Sequence, residues 1–131
     1  MFKRQPARVD KIPNIIYYVD NMAKGEYLGE FEHIVLLTIL RLGDGAYGAM
    51  IRAEIERVTG RSPAIGTVHA TLERLERKRL VASWIGEPTA ERGGKAKRHF
   101  KIEADGVSAL KNARKTLDQL HAGVSLRSAI A

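Results

Sequence analysis

Two groups of residues in this chain have the types and spacing to touch a polyanion. The first is Thr67, His69, Ala70, Thr71, Arg74 and Lys78, within the run Ser62–Arg79. Threonine can hydrogen bond a base edge or touch a thymine methyl, and arginine can address a guanine edge or a phosphate. Small residues at Gly66 and Ala70 would let a helix backbone approach a groove floor. Lys78 and Arg79 suit phosphate better than bases. His69 suits a base contact no better than a turn towards the protein or the DNA backbone. The second group is Arg92, Lys95, Lys97 and Arg98, joined by Lys101, with little acid after Glu91. Cations on a flexible tip reach phosphates and release counterions, which gives affinity without reading sequence. Arg92 or Arg98 could also enter a minor groove.

Catalytic and metal chemistry find no comparable support. The histidines at 33, 69, 99 and 121 have no ligand spacing. Gly93-Gly94-Lys95 resembles part of a phosphate loop, but that loop needs glycine at 89 and Ser or Thr at 96, where Thr89 and Ala96 stand. No serine lies in a G-x-S-x-G turn. Glu73 and Glu76 lie on a charged helical face and read as solvated charge. The chain has no cysteine, which excludes disulfides, thiolate metal sites and cysteine nucleophiles, and it fits a reducing cytoplasm. The reading is therefore of a cytoplasmic protein that is not an enzyme, with no catalytic residue, metal or cofactor.

The composition agrees with a nucleic-acid partner. The 131 residues are enough for one domain, and 22 Lys+Arg against 15 Asp+Glu give a formal net charge of +7. Hydrophobic residues make up 44% and aromatics only 6%, so the core should be built of Leu, Ile, Val and Ala. No apolar run approaches a membrane span. Ile15–Val19 is too short for the apolar stretch of a signal peptide.

The elements that would position these residues follow in order. Residues 1–27 read as an arm interrupted by Pro6 and Pro13. Its Ile12, Ile15, Ile16, Tyr17, Tyr18 and Val19 should pack on something, a partner subunit included; Met22 offers an alternative start. Residues 28–103 read as the DNA-binding domain. Phe31, Val35, Leu36, Ile39, Leu40 and Leu42 recur at helical spacing, with Glu30 and Glu32 suited to the N-terminal dipole. Gly43-Asp44-Gly45 stops that helix. Tyr47, Met50, Ile51, Ile55 and Val58 form a second stripe, ended by Gly60. Ile65, Val68, Leu72 and Leu75 form the third, with Pro63 at its start. Leu80–Ile85 and Arg98–Ile102 read as strands around the basic loop. A hairpin placed directly after a helix-turn-helix is a wing. Residues 104–122 predict a final helix whose seam of Val107, Leu110, Leu117 and Leu120 suits a dimer interface, and residues 123–131 should fray. The expected fold is mainly α with a small β-hairpin: a winged helix-turn-helix plus a C-terminal dimerisation helix.

Leu28-Gly29-Glu30-Phe31-Glu32, Tyr47-Gly48-Ala49-Met50-Ile51, Gly66–Glu76 and Arg98–Ile102 leading to Gly106 together resemble the winged-helix region of PadR-family transcriptional regulators. The resemblance spans about Leu28 to Leu120 and is to the short-tailed members. It implies a homodimer held by terminal helices, bound to double-stranded DNA at a palindromic promoter site, usually as a repressor. Some family members lose DNA affinity on binding small aromatic or drug-like effectors. The chain departs from the family pattern at His69 (usually Tyr), at Arg79 (usually Gly) and at Glu103 (usually Thr). A non-glycine residue in a left-handed cap at Arg79 would cost roughly 1 kcal/mol. Trp84, the only tryptophan, lies in a wing strand, and the final helix has no aromatic cluster to line a drug pocket. A different reading is a winged-helix protein-interaction module that sets its basic wing on an acidic protein partner.

Overall fold

The structure, a computed structural model, describes residues 27–87 and 96–130. The expected arm, up to residue 26, and the loop tip with Arg92 and Lys95 lie outside the described residues.

Helix α1 spans Glu30–Leu42. Its Val35, Leu36 and Ile39 lie on one face and are buried. It stops where Gly43 takes φ 84 and its N–H caps the Ile39 carbonyl at 2.9 Å, a backbone shape that residues with a Cβ avoid. The chain then makes a two-residue strand β1 (Ala46–Tyr47) before helix α2 (Gly48–Thr59). Tyr47 thus stands in a strand, although its spacing suggested the second helical stripe. Gly60, at φ 79, closes α2.

Helix α3 is Ile65–Arg77, starting three residues later than Ser62. Its C-terminus holds a left-handed residue at position 79, where the resembled family usually has glycine. Arg79 has φ 64, its N–H donates to the Glu76 carbonyl at 2.9 Å, and the Leu80 N–H donates to the Leu75 carbonyl at 2.9 Å. This paired cap satisfies carbonyls the helix would otherwise leave open, and it lets Leu75 and Leu80 both turn into the core. The gain offsets the strain of an arginine in that conformation.

Strands β2 (Val81–Ile85) and β3 (Arg98–Ile102) form the hairpin, pairing Val81 with Ile102, Ser83 with Phe100 and Ile85 with Arg98. Strand β1 adds to the other edge of β3, so the antiparallel sheet runs β1-β3-β2. Helix α4 (Ala104–His121) follows. The core joins Val35, Leu36 and Ile39 of α1, Ile51 and Ile55 of α2, and Val68, Leu72 and Leu75 of α3. Leu80, Val81 and Phe100 close it from the sheet side, and Leu110 from α4. The architecture is a winged helix-turn-helix, mainly α, with one more strand than the sequence reading supplied.

The final helix divides into two parts. Leu110 is 6% exposed and belongs to the chain's own core, which corrects its assignment to an intersubunit seam. Val107 is half-buried on the same side. Leu117 and Leu120, two to three turns on, are 52% and 70% exposed. Beyond the helix, Gly123 turns at φ 77 and Ser128–Ile130 forms a short 3-10 turn, where fraying was expected.

Candidate nucleic-acid interface

Helix α3 rotates about 100° per residue, so its buried Val68, Leu72 and Leu75 fix where every other side chain points. The face diametrically away from the core carries Gly66, Ala70, Glu73 and Arg77, all exposed. Thr67 and Arg74 flank that face on the α1 side, and His69 flanks it on the wing side. Gly66 and Ala70 sit in the N-terminal half with nothing taller than a methyl between the helix backbone and solvent. A duplex could approach there closely.

Thr71 is 2% exposed and lies on the α1-facing edge of the buried stripe. Its assignment to a base contact is therefore corrected: the side chain is a core residue. Arg74 and Lys78 also change role. The Arg74 Nε donates to Glu32 Oε2 at 2.9 Å, and the Lys78 Nζ donates to Glu32 Oε2 at 2.9 Å and Oε1 at 3.2 Å. The Lys78 side chain is only 18% exposed. Both cations bind α3 to α1 across the core edge instead of projecting from the outer face. Arg77, which the site assignment omitted, is the basic residue on that face. A count of helical turns from the buried leucines would have found it.

Glu32 is 4% exposed, and its Oε1 also accepts the Gly29 N–H at 3.0 Å. Burial pushes this carboxyl up. The Gly29 N–H, Lys78 and Arg74 together outweigh that and hold it below the usual carboxylate range. Sequence reading saw Glu32 only as a helix-dipole partner.

His69 packs on the protein. Its ring covers the first turn of α2, so closely that a Cβ at Gly48 would lie 2.5 Å from the ring Cε1. Gly48 is thus a packing glycine, and the α2–α3 corner depends on its lack of a side chain. On the other side of the corner, Arg52 Nε donates to the Pro63 carbonyl at 2.7 Å and anchors the segment leading into α3.

The wing is fastened to α3 by a short polar relay. Arg98 Nη1 donates to Ser83 Oγ at 2.9 Å, and Ser83 Oγ donates to Glu76 Oε2 at 2.7 Å. Behind it, the His99 ring stacks on Trp84 (centroids 5.6 Å apart, planes at 24°) and meets Tyr47 edge-on at 5.8 Å. His99 Nδ1 lies 2.6 Å from the Gly45 carbonyl oxygen, an acceptor only, so Nδ1 carries the hydrogen. Lys97 Nζ sits 5.2 Å from the Tyr47 ring centroid, a cation–π arrangement that draws this side chain towards the wing root. Between α3 and the wing runs a groove of about 570 Å³, lined by His69, Glu73, Lys97 and Arg98 among others. Arg98 therefore stands at an exposed edge beside α3. Lys97 is half-buried on the aromatic cluster. Among the described residues, no three His, Cys, Asp or Glu side chains group to hold a metal ion. No helix among them is long and apolar enough to cross a membrane.

No protein-family model matches the sequence, and no curated protein does. Solved structures do match in fold. A transcriptional regulator from Clostridium thermocellum shares 22% identity over 70% of this chain and 85% of its own, with a TM-score of 0.58. A PadR-like transcriptional regulator from Bacillus cereus shares 16% identity over 72% of this chain and 86% of its own, with a TM-score of 0.56. A PadR-family transcription regulator from Clostridium difficile shares 21% identity over 70% of this chain and 95% of its own, with a TM-score of 0.53. The described chain therefore has the winged-helix fold of solved PadR-family transcriptional regulators.

Proposed function

We propose that this protein is a PadR-type, sequence-specific DNA-binding transcriptional regulator of the cytoplasm. The observation that carries the reading is the outer face of α3. Gly66, Thr67, Ala70, Glu73 and Arg77 form an exposed strip, low at its N-terminal end, with the basic wing beside it. A helix of this shape fits the major groove, where Thr67 and Arg77 would reach base edges or phosphates. Arg98, with Arg92, Lys95 and Lys97 of the wing, would add contacts to the backbone or the minor groove.

The protein would act as a homodimer. Leu117 and Leu120 are large apolar side chains held out from the domain on the distal part of α4, and a second copy would cover them. Two-fold symmetry would set two α3 helices about one DNA turn, roughly 34 Å, apart on a palindromic promoter site. Repression by occupying that site is the mode we favour, with release by a small aromatic effector as its regulatory arm.

The test is titration of labelled duplexes carrying the gene's own upstream promoter and a scrambled sequence of equal length, over a series of salt concentrations. A regulator binds the promoter about 1,000-fold or more tightly than scrambled DNA, with affinity falling steeply as salt rises. Equal affinity for both duplexes would refute the reading. Absent DNA binding together with capture of an acidic protein partner would favour an interaction module.

A further inference from the structure

Among the described residues Glu32 is the one buried carboxylate, and the DNA-binding reading leaves it without a task. Stability alone is a weak account of it. A buried ion pair costs desolvation that its attraction only partly repays, and apolar side chains of similar volume often serve as well. What a carboxylate does here that an apolar group could not is hold two cations. Arg74 comes from the C-terminal half of α3 and Lys78 from its C-cap, 42 and 46 residues away in sequence, and both are hydrogen-bonded to it. Arg74 stays 44% exposed along its side chain, so its position at the flank of the outer face is within reach of solvent and of a polyanion. Its Nε is nevertheless turned inward, to Glu32.

We propose that Glu32 is a positioning residue for DNA recognition, which fixes α3 against α1 and withholds Arg74 and Lys78 from DNA phosphates. This inference rests on the DNA-binding reading. Phosphate contacts supply affinity for any sequence, whereas base contacts separate one sequence from another. Drawing two cations back lowers the first term and leaves the second, so that the outer face of α3 decides where the protein binds. The arrangement raises specificity by restraining non-specific attraction in a chain with a formal net charge of +7.

The experiment is Glu32→Gln, which keeps the side chain's size and an acceptor for the Gly29 N–H but removes the charge. Promoter and scrambled duplexes are titrated against both proteins over a salt series. The expected result is tighter binding of scrambled DNA, by about tenfold, with a log–log salt slope steeper by about 1 to 2 per bound protomer. The ratio of promoter to scrambled affinity falls. Unchanged slopes, or parallel losses of both affinities, would overturn the inference and leave Glu32 a purely structural group.

Should Glu32→Gln fail to fold by circular dichroism, Arg74→Met decides. An Arg74 held by Glu32 contributes nothing to the scrambled-DNA slope, so the variant keeps the wild-type slope; a slope shallower by about 1 per bound protomer overturns the inference. Heparin separates this inference from the reading beneath it. If the wild type fails to discriminate the promoter, the regulator reading falls. Elution of Glu32→Gln from heparin at higher salt than wild type would still support the withholding of cations, and elution at equal or lower salt would overturn it.

Discussion

Gly106→Ala is the substitution whose effect follows most directly from the packing. Gly106 lies in the first turn of α4 and is buried. A Cβ placed there would overlap the Leu80 carbonyl oxygen and stand 2.7 Å from Ile102 Cγ1. The Ile102 side chain can rotate away. The Leu80 carbonyl cannot, because it accepts the Glu103 N–H at 2.9 Å and so ties the start of α4 to the residue that leads into β2. The helix must retreat instead, opening the contact that Leu110 makes with the core. Overpacking of this kind costs about 1 to 3 kcal/mol. The better helix propensity of alanine returns up to about 1 kcal/mol. A net loss of about 1 to 2 kcal/mol remains, a lowering of the melting midpoint by about 5 °C. Thermal and urea unfolding followed by circular dichroism read it. A midpoint equal to or above wild type would show that α4 does not rest on the Leu80 carbonyl, and the close approach would be refuted.

Arg79→Gly should stabilise the chain, because the left-handed φ of 64 strains any residue with a Cβ. The relief of about 1 to 2 kcal/mol is partly offset by the freer unfolded chain, leaving up to about 1 kcal/mol; a lower urea midpoint would contradict it. Acid should destabilise the fold. Glu32 is held below the usual carboxylate range, burial opposing and Gly29, Lys78 and Arg74 prevailing, while Arg57 and then Arg41 hold Glu54 at about 2 against burial. Depressed carboxylates contribute stability above pH 4.5 and lose it as pH falls through their folded values, so melting points should hold from pH 8 to about 5 and decline below. A midpoint that rises on acidification would be inconsistent with both contacts. Leu117→Glu should shift the protein to monomer in analytical ultracentrifugation and weaken promoter binding, whereas an undiminished dimer would remove the distal part of α4 from the interface.

The parts of the fold carried by short-range pattern were legible in the sequence. The Val35/Leu36/Ile39 and Val68/Leu72/Leu75 stripes, the stops at Gly43 and Gly60 and the two wing strands all follow from spacing or from single-residue backbone preference, whereas a left-handed residue at Arg79 is suggested only by the glycine usual there in the resembled family. What eluded the sequence depends on how elements meet. Strand β1 has two residues, too few to show a period, and exists because β3 pairs with it. Thr71 carries a polar hydroxyl yet sits one step from the buried leucines, and only the approach of α1 decides that it is covered. Glu32 is an acid near a helix start, where the dipole is reason enough to find one. Its pairing with Arg74 and Lys78 spans most of the domain. Leu110 and Leu117 share a seam by spacing, but only the end of the domain's own core, about halfway along α4, separates them.

The central claim is that the outer face of α3 meets DNA, and Ala70→Glu tests it most directly. Ala70 is exposed in the middle of that face, so the substitution leaves the core untouched and should leave the melting midpoint unchanged. In a groove, the added carboxylate would face phosphates and crowd the backbone's approach, a like-charge contact worth several kcal/mol. Measured by fluorescence anisotropy on the promoter duplex, affinity should fall by about 100-fold or more while the fold is retained. Promoter affinity equal to wild type in a folded Ala70→Glu protein would contradict the account.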